Sequence, residues 1–449
     1  MIRHLAIIGA GFSGSLAAIN LARHDGPRAT LIDRLADAGT GLAYGAAHPD
    51  HLLNVRASNM SAFPDDADHF VRWLDQRGMG AAAQSFVPRL LYGEYLRALL
   101  DEAITRSPGR IAVLRGDAVD LADHGTRIIR LASGDQLEAD AVVLAIGNLP
   151  PHPPHGVEVE TLSPGRYAGE CWNPDATAGL GPDDTVLILG TGLTMVDVAL
   201  LLDVKGFSGR IVALSRRGLV PHAHAEPGAP WSRIKERPAT PMSALVRRLR
   251  TRGDEIGWRH AIDELRPFTQ DMWRAASSDA RARFIRHARP WWDIHRHRLA
   301  PSVADRIAAL QSAGRLSVRA GKIGAIVDGP SGAQVQWRER GEHDWRALVV
   351  QRIINCTGPQ GDLHRATEPL LRNLAQRGDI RPDAGRLGID VDDQLRTINA
   401  EGQANEALFA LGPMTRGAFW EIVAVPDIRT QAWSLARRLS NAHWVAEGL

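Results

Sequence analysis

Three glycines, Gly9, Gly11 and Gly14, stand between an apolar run, Leu5 to Ile8, and a helix-patterned stretch, Ser15 to Ala22. A strand that turns through this spacing into a helix is suited to receive a pyrophosphate. The first glycine permits the tight turn, the second lets a phosphate approach the backbone, and the third lets helix and strand pack closely. The helix N-terminus then faces the anion, with Phe12 and Ser13 completing the loop. A second apolar run, Ala29 to Ile32, ends at Asp33, about 20 residues past the loop, where an acid meets a ribose hydroxyl. Arg34 follows it. Strand, loop, helix and acid in this order predict a dinucleotide site rather than a bare glycine turn.

The arrangement recurs. Val186 to Leu189 runs into Gly190 and Gly192, with Leu193 and Thr194 opening the next helical pattern and Met195 where a third glycine would stand. That helix is expected to sit slightly farther from its strand. Thr191 and Thr194 supply hydroxyls near the phosphates. The following strand, Arg210 to Leu214, ends in Ser215, Arg216 and Arg217 instead of an acid. Guanidinium groups there can grip a 2'-phosphate through charge-assisted hydrogen bonds, which favours NADPH over NADH.

A chain of 449 residues exceeds one core, so two or three domains are expected. At 44% hydrophobic, 23% charged and net +2, it has an ordinary globular composition and no general attraction to nucleic acid or anionic membrane. The only cysteines, Cys171 and Cys356, are far apart, so no disulfide framework, CxxC redox pair or thiolate metal cluster is expected. The chain enters its first strand almost at once, and no apolar run reaches the ~18 residues of a membrane span. A soluble, cytoplasmic protein without a signal or transit peptide is the expectation.

The fold class expected is α/β, with two Rossmann-like dinucleotide-binding domains, the second inserted in the first. Residues 1–155 and 350–449 form the first, closed by the late strands Ile353 to Gly358 and Ala407 to Gly412, and residues 180–349 form the second. The Pro-rich stretch 148–156 is the crossover. Residues 231–311, rich in Arg, Trp and His, read as a helical insertion. Interspersed acids such as Asp254, Glu255, Asp263 and Glu264 favour a cap over an active site rather than a nucleic-acid surface.

Two such folds, one inside the other, resemble flavoproteins that bind FAD in the first and a nicotinamide nucleotide in the second; the missing CxxC excludes their disulfide-reductase branch. The stretch from Asn54 to Asp65 and that from Val87 to Leu96 resemble flavin-containing monooxygenases. Gly41 to Gly45, His51 to Val55, Ser215 to Gly218, Pro290 to Arg298 and Trp420 to Arg429 together resemble a bacterial FAD/NAD(P)-binding family that includes a flavin-dependent urate hydroxylase.

The resemblance implies FAD, NADPH or NADH, O2 and a small-molecule substrate. It implies a monooxygenase that works through a C4a-hydroperoxyflavin on a small nitrogenous, urate-like metabolite, with N-hydroxylation of an amino acid or amine as the alternative. A non-catalytic flavin-binding redox sensor or assembly partner is the rival outside the enzymes. By the same resemblance Gly41, Asn54, Met60 and Ser61 lie around the flavin ring, with Asn54 catalytic. Gly412 and Pro413 pass the ribityl-pyrophosphate, and Ile422 and Pro426 lead into a helix aimed at the pyrimidine edge, where Asp427 is a first-turn acid. Trp420 and Glu421 are further catalytic candidates, with Trp291, Trp292, His295, His297 and Arg298 as substrate contacts. No metal is expected: His222 and His224 near Glu226, and His295 near His297, have i, i+2 spacing, which shares no helix face, and lack a third ligand. Oligomeric state stays open, a homo-oligomer included.

Overall fold

The computed structural model of the chain describes residues 2–35, 37–80, 82–123, 125–154, 157–225, 234–238 and 242–440. A first sheet has six strands in the order Arg396–Ile398, Ala404–Ala410, Ala141–Leu144, His4–Ile8, Arg28–Asp33 and Ile111–Arg115. All pair in parallel except the edge Arg396–Ile398. Every residue of His4–Ile8 and Ala141–Leu144 is buried, so both sheet faces are covered and the strands read as continuous apolar runs. The helices Phe12–Arg23, Arg89–Arg106 and Val425–Leu439 share this core. Ala404–Ala410 arrives from the far end of the chain and sets Leu408 opposite Val142, so the first unit is discontinuous.

The second sheet has seven strands: Arg346–Val350, Ala333–Glu339, Leu316–Val327, Arg210–Ser215, Thr185–Leu189, Arg352–Asn355 and Tyr167–Ala168. One expectation is corrected here. The strand at Ile353 was assigned to the first unit, from residue 350 on, but Ile354 lies opposite Ile188 and the strand pairs with Thr185–Leu189. A buried apolar strand ending in glycine suits either sheet by composition. Its partners decide: Asn355 Nδ2 donates to the hydroxyl of Tyr167 on the next strand at 2.9 Å.

Between Arg210–Ser215 and Leu316–Val327 lie the helices Met242–Ile256, Trp258–Leu265, Thr269–Ala275, Ser278–Arg283 and Arg289–Arg296, with a π-helical turn at Phe284–Ala288, then Pro301–Ser312. The helices Met242–Ile256 to Arg289–Arg296 fall within residues 231–311; Trp231 and Glu226 lie outside the described residues. Pro301–Ser312 buries Val303, Ile307 and Leu310 in the second core.

A largely buried ion pair links the two units through the helix Arg89–Arg106. Arg89, at the start of its helix, donates to both oxygens of Asp197 at 2.8 and 3.1 Å, and His51 Nε2 reaches the Asp197 carbonyl at 3.1 Å. Two parallel bonds fix orientation as well as distance. Among the described residues no helix is long and apolar enough to cross a membrane.

Candidate active site: two nucleotide cradles and a capped junction

In the first cradle Gly9 has φ +103° and a Cβ there would lie 2.3 Å from the Ala145 carbonyl oxygen. Gly14 is forced by packing, since its Cβ would come within 1.9 Å of the Gly9 oxygen. The middle glycines behave differently. Gly11 (φ −75°, ψ −165°) and Gly192 (φ −85°, ψ −164°) hold extended backbone that any residue adopts. A Cβ on Gly11 would meet only Gly41 Cα at 3.4 Å, and one on Gly192 would meet nothing within 4 Å. Neither backbone strain nor packing demands glycine at either position; an approaching pyrophosphate does. The helices Phe12–Arg23 and Leu193–Val204 start at these residues with no side-chain cap, which leaves their first amides to a ligand. The residues therefore fit two dinucleotides.

Asp33 braces the first loop: its carboxylate accepts the Ala10 amide at 2.6 Å and the Leu35 amide at 2.8 Å, with lone pairs left for a ribose. Arg34 beside it is exposed. The turn Gly41–Gly45 packs on the loop, with a Cβ on Gly41 falling 3.0 Å from Gly11 Cα. Gly412, at φ +84°, meets Ser13, whose Oγ would lie 2.5 Å from an added Cβ. Its amide donates to Gln431, which donates onward to Thr415, so the last helix holds this bend. Pro413 opens a buried turn, Ile422 is buried, and Pro426 occupies the first turn of Val425–Leu439, whose N-cap Ala424 offers no side-chain acceptor.

Met60 and Ser61 are almost wholly buried, and Ser61 spends its hydroxyl on Phe63 and Asp66 while its carbonyl accepts from Arg429. They shape the loop. Asn54 is only partly buried; its carbonyl accepts from His224 Nε2 at 3.0 Å, and its side-chain amide has no partner among the described residues. Burial lowers the His224 pKa to about 4, so the ring is neutral at pH 7 with its proton on Nε2.

In the second cradle hydroxyls replace the acid. Thr191 donates to the Leu219 carbonyl at 2.5 Å, Ser215 lies 2.9 Å from Thr191, and Ser215 accepts the Gly218 amide at 3.0 Å. Leu193 and Thr194 are partly buried at the helix start, and Met195 is fully buried beside Val186 and Ile188. Arg216 is exposed and without a partner among the described residues. Arg217 reaches the carbonyls of His287 and Arg286 in the insertion.

The insertion docks on the segment just before the last helix. Trp420 stacks on Trp273 with centroids 4.6 Å apart and meets the edge of Phe284 at 5.2 Å, while Trp273 Nε1 donates to the Gly417 carbonyl at 2.8 Å. Glu421, at φ +68°, accepts from Trp292 Nε1 at 2.5 Å and from Arg296 Nε at 2.9 Å. Both catalytic candidates thus have docking partners on every side. Trp291 is exposed, Arg298 is paired bidentately with Asp263, and His295 packs 4.8 Å from both His222 and Trp258. The sequence distance between His222 and His295 hid that contact, yet no group of metal ligands forms among the described residues. Burial lowers His297 and Arg266 and raises Asp427, and it takes Arg416 down to about 10. Cys171 and Cys356 also meet: burial and the neighbouring Cys171 push the Cys356 thiol far up, leaving it protonated and inert.

Residues 6–149 match a protein family described as FAD-NAD(P)-binding. The chain is similar to an L-aspartate N-monooxygenase (nitrosuccinate-forming) of Streptomyces cremeus, 29% identical over 179 residues that make up 34% of this chain and 27% of that protein. It therefore spans well under half the length of this relative. Its fold is similar to that of L-lysine 6-monooxygenase from Pseudomonas syringae, with TM-score 0.68 and 16% identity over 99% of this chain and 100% of the other. It is similar also to an ornithine N-hydroxylase from Kutzneria sp. 744 with reduced FAD, NADP+ and L-ornithine, with TM-score 0.66 and 14% identity over 98% and 99%. The class these define is an α/β fold of paired dinucleotide domains shared with flavin-dependent monooxygenases.

Proposed function

We propose that the chain is an FAD-dependent N-hydroxylase that consumes NAD(P)H and O2 and acts on a small amine or amino acid. The observation that carries this is the pair of middle glycines, Gly11 and Gly192, which the protein's own packing does not require and a dinucleotide does. The relative named for aspartate N-hydroxylation and the fold shared with lysine and ornithine hydroxylases support the amine alternative over a urate-like ring. A bound flavin, reduced by the nicotinamide nucleotide, supplies the activation of O2.

The chain's own residues do the rest. Uncapped helix N-termini at Phe12 and Leu193 receive the two diphosphates. The N-terminus of Val425–Leu439, whose N-cap Ala424 offers no side-chain acceptor, would supply partial positive charge to a reduced flavin. Asn54 offers its unpartnered amide beside the ring. Arg216 reads a 2'-phosphate, which favours NADPH. Trp273, Phe284 and Trp420 pack across the junction and would keep water from the site where the flavin chemistry takes place.

The test is anaerobic reduction of FAD-loaded protein by NADPH or NADH, then admission of O2 with aspartate, lysine, cadaverine or urate, with product masses recorded. Bleaching by NADPH and gain of one oxygen atom by an amine are expected. Bleaching by neither nucleotide leaves a non-catalytic flavin protein, and oxygen transfer to urate alone overturns the amine assignment.

A further inference from the structure

Among the described residues, several charges at the junction of insertion and C-terminal segment are paired. Arg296 binds Glu421 at 2.9 Å, Arg266 lies 3.8 Å from Asp427, and Arg289 lies 3.4 Å from Asp293. The Arg416 side chain has neither an ion pair nor a hydrogen bond among the described residues. It is only partly exposed, between buried Thr415 and buried Gly417, and its charged neighbours are Arg289 and Asp293 of the insertion. Asp293 is already engaged by Arg289, so Arg416, which has lost water, has no carboxylate of its own among the described residues; an incoming carboxylate offsets that cost. The planar fork of an arginine matches a carboxylate bidentately. The proton affinity of Arg416 is lowered first by burial and then by Arg289, to about 10, so the group remains charged at neutral pH and able to bind an anion.

We propose that Arg416, with Arg289 beside it, docks a carboxylate of the substrate, so that the enzyme takes an acidic amino acid in preference to a diamine. This rests on the N-hydroxylase reading above. Arg416 stands four residues past Gly412, the bend that meets Ser13 of the first cradle, and its charged neighbours lie on the insertion. Cofactor phosphates, the other anions available, are served by Gly11 and Gly192.

The experiment is calorimetric titration of FAD-loaded protein with succinate, aspartate, cadaverine and inorganic phosphate, in the natural chain and in Arg416→Met and Arg416→Lys. Succinate, which has no amine to oxidise, reports docking without turnover. Expected are binding of succinate and aspartate but not cadaverine, at least ~10-fold weaker binding in Arg416→Met, and partial recovery in Arg416→Lys with flavin retained. Three results overturn the proposal: cadaverine or phosphate binding the natural chain as tightly as succinate, succinate binding Arg416→Met undiminished, or Arg416→Met losing flavin while keeping succinate. Should Arg416→Met not fold, the ligand preference of the natural chain and the lysine variant decide. Aspartate bound through Arg416 without NADPH-driven oxygenation would leave the carboxylate site standing and remove the hydroxylase reading instead.

Discussion

The two cradles are copies of one device, and they differ in what holds the loop. In the first, a carboxylate does it: Asp33 takes the amides of Ala10 and Leu35. In the second, two hydroxyls do it, Ser215 on Gly218 and Thr191 on Leu219, which leaves the strand end neutral and open to arginine. The third glycine differs as well. Gly14 has the Gly9 oxygen where a side chain would begin, whereas Met195 fills the second core. The first glycine keeps its role in both, since Gly9 and Gly190 share a positive φ and a close carbonyl, and so does the middle glycine, which faces ligand space rather than protein. The third glycine is thus a packing requirement, and losing it does not remove the cradle.

The strongest way to break this comparison is to exchange the glycine roles. Gly14→Ala drives a methyl into the Gly9 carbonyl, so helix and strand must part in the centre of the first core. Overpacking of this kind costs about 1–3 kcal/mol or more, and with the phosphate site displaced the variant should purify with little FAD and a lowered Tm. Gly192→Ala meets open space and should keep the natural Tm and flavin content while the KM for NADPH rises on the order of tenfold, since only the close approach of the phosphate is lost. Equal damage from the two substitutions would show that the middle glycine is structural too. Flavin absorbance, thermal unfolding and steady-state kinetics read the contrast.

A smaller contrast lies in the braces. Asp33→Asn turns one of two acceptors into a donor facing an amide, which leaves a buried N–H unsatisfied at about 1–3 kcal/mol. Ser215→Ala removes a hydroxyl from a partly exposed chain and should cost about 1 kcal/mol or less. Flavin release on heating should therefore come earlier in the first variant, with NADPH protection altered only in the second. Next in size is nucleotide choice: Arg216→Gln should raise the KM for NADPH several-fold and leave NADH unchanged, because only the former carries the 2'-phosphate. A variant that affects both nucleotides alike would place Arg216 on the shared diphosphate.

Both cradles were legible because each is local: strand, glycines and helix start lie within a few residues, and the departure at Met195 was visible directly. Pro426 likewise marked the first turn of the last helix. What the residues did not reveal was who meets whom across long separations. Arg89 and Asp197 are 108 residues apart and Glu421 and Arg296 125, and nothing in their neighbourhoods announces a partner. The strand Arg352–Asn355 went to the other sheet because apolar composition specifies burial, not neighbours. Trp420 and Glu421 have the residue types of a reactive pair, and the insertion meets both through Trp273, Trp292 and Arg296, with Glu421 at positive φ. Arg416 was passed over because an unpaired charge is recognisable only once the others have been paired.

The smallest effect concerns the seam between the cradles, where His224 of the second unit donates to the Asn54 carbonyl of the first. Its folded pKa is about 4, lowered chiefly by burial and further by Arg298 and Arg56 against the opposing pull of Asp263, while the unfolded value is near 6.5. The unfolded chain therefore binds the extra proton in that window. The stability this ring contributes is complete above about pH 6.5 and is lost as pH falls toward 4, at a limiting slope of about 1.4 kcal/mol per pH unit. His224→Gln keeps an amide donor for Asn54 but cannot titrate. Denaturant unfolding should find it less stable than the natural chain by about 1 kcal/mol at pH 7.5, with the gap closing as pH drops to 5. A gap constant with pH would mean that the ring is solvated when the protein is folded, and the seam would then open to water on the Asn54 side, where a flavin monooxygenase needs it closed.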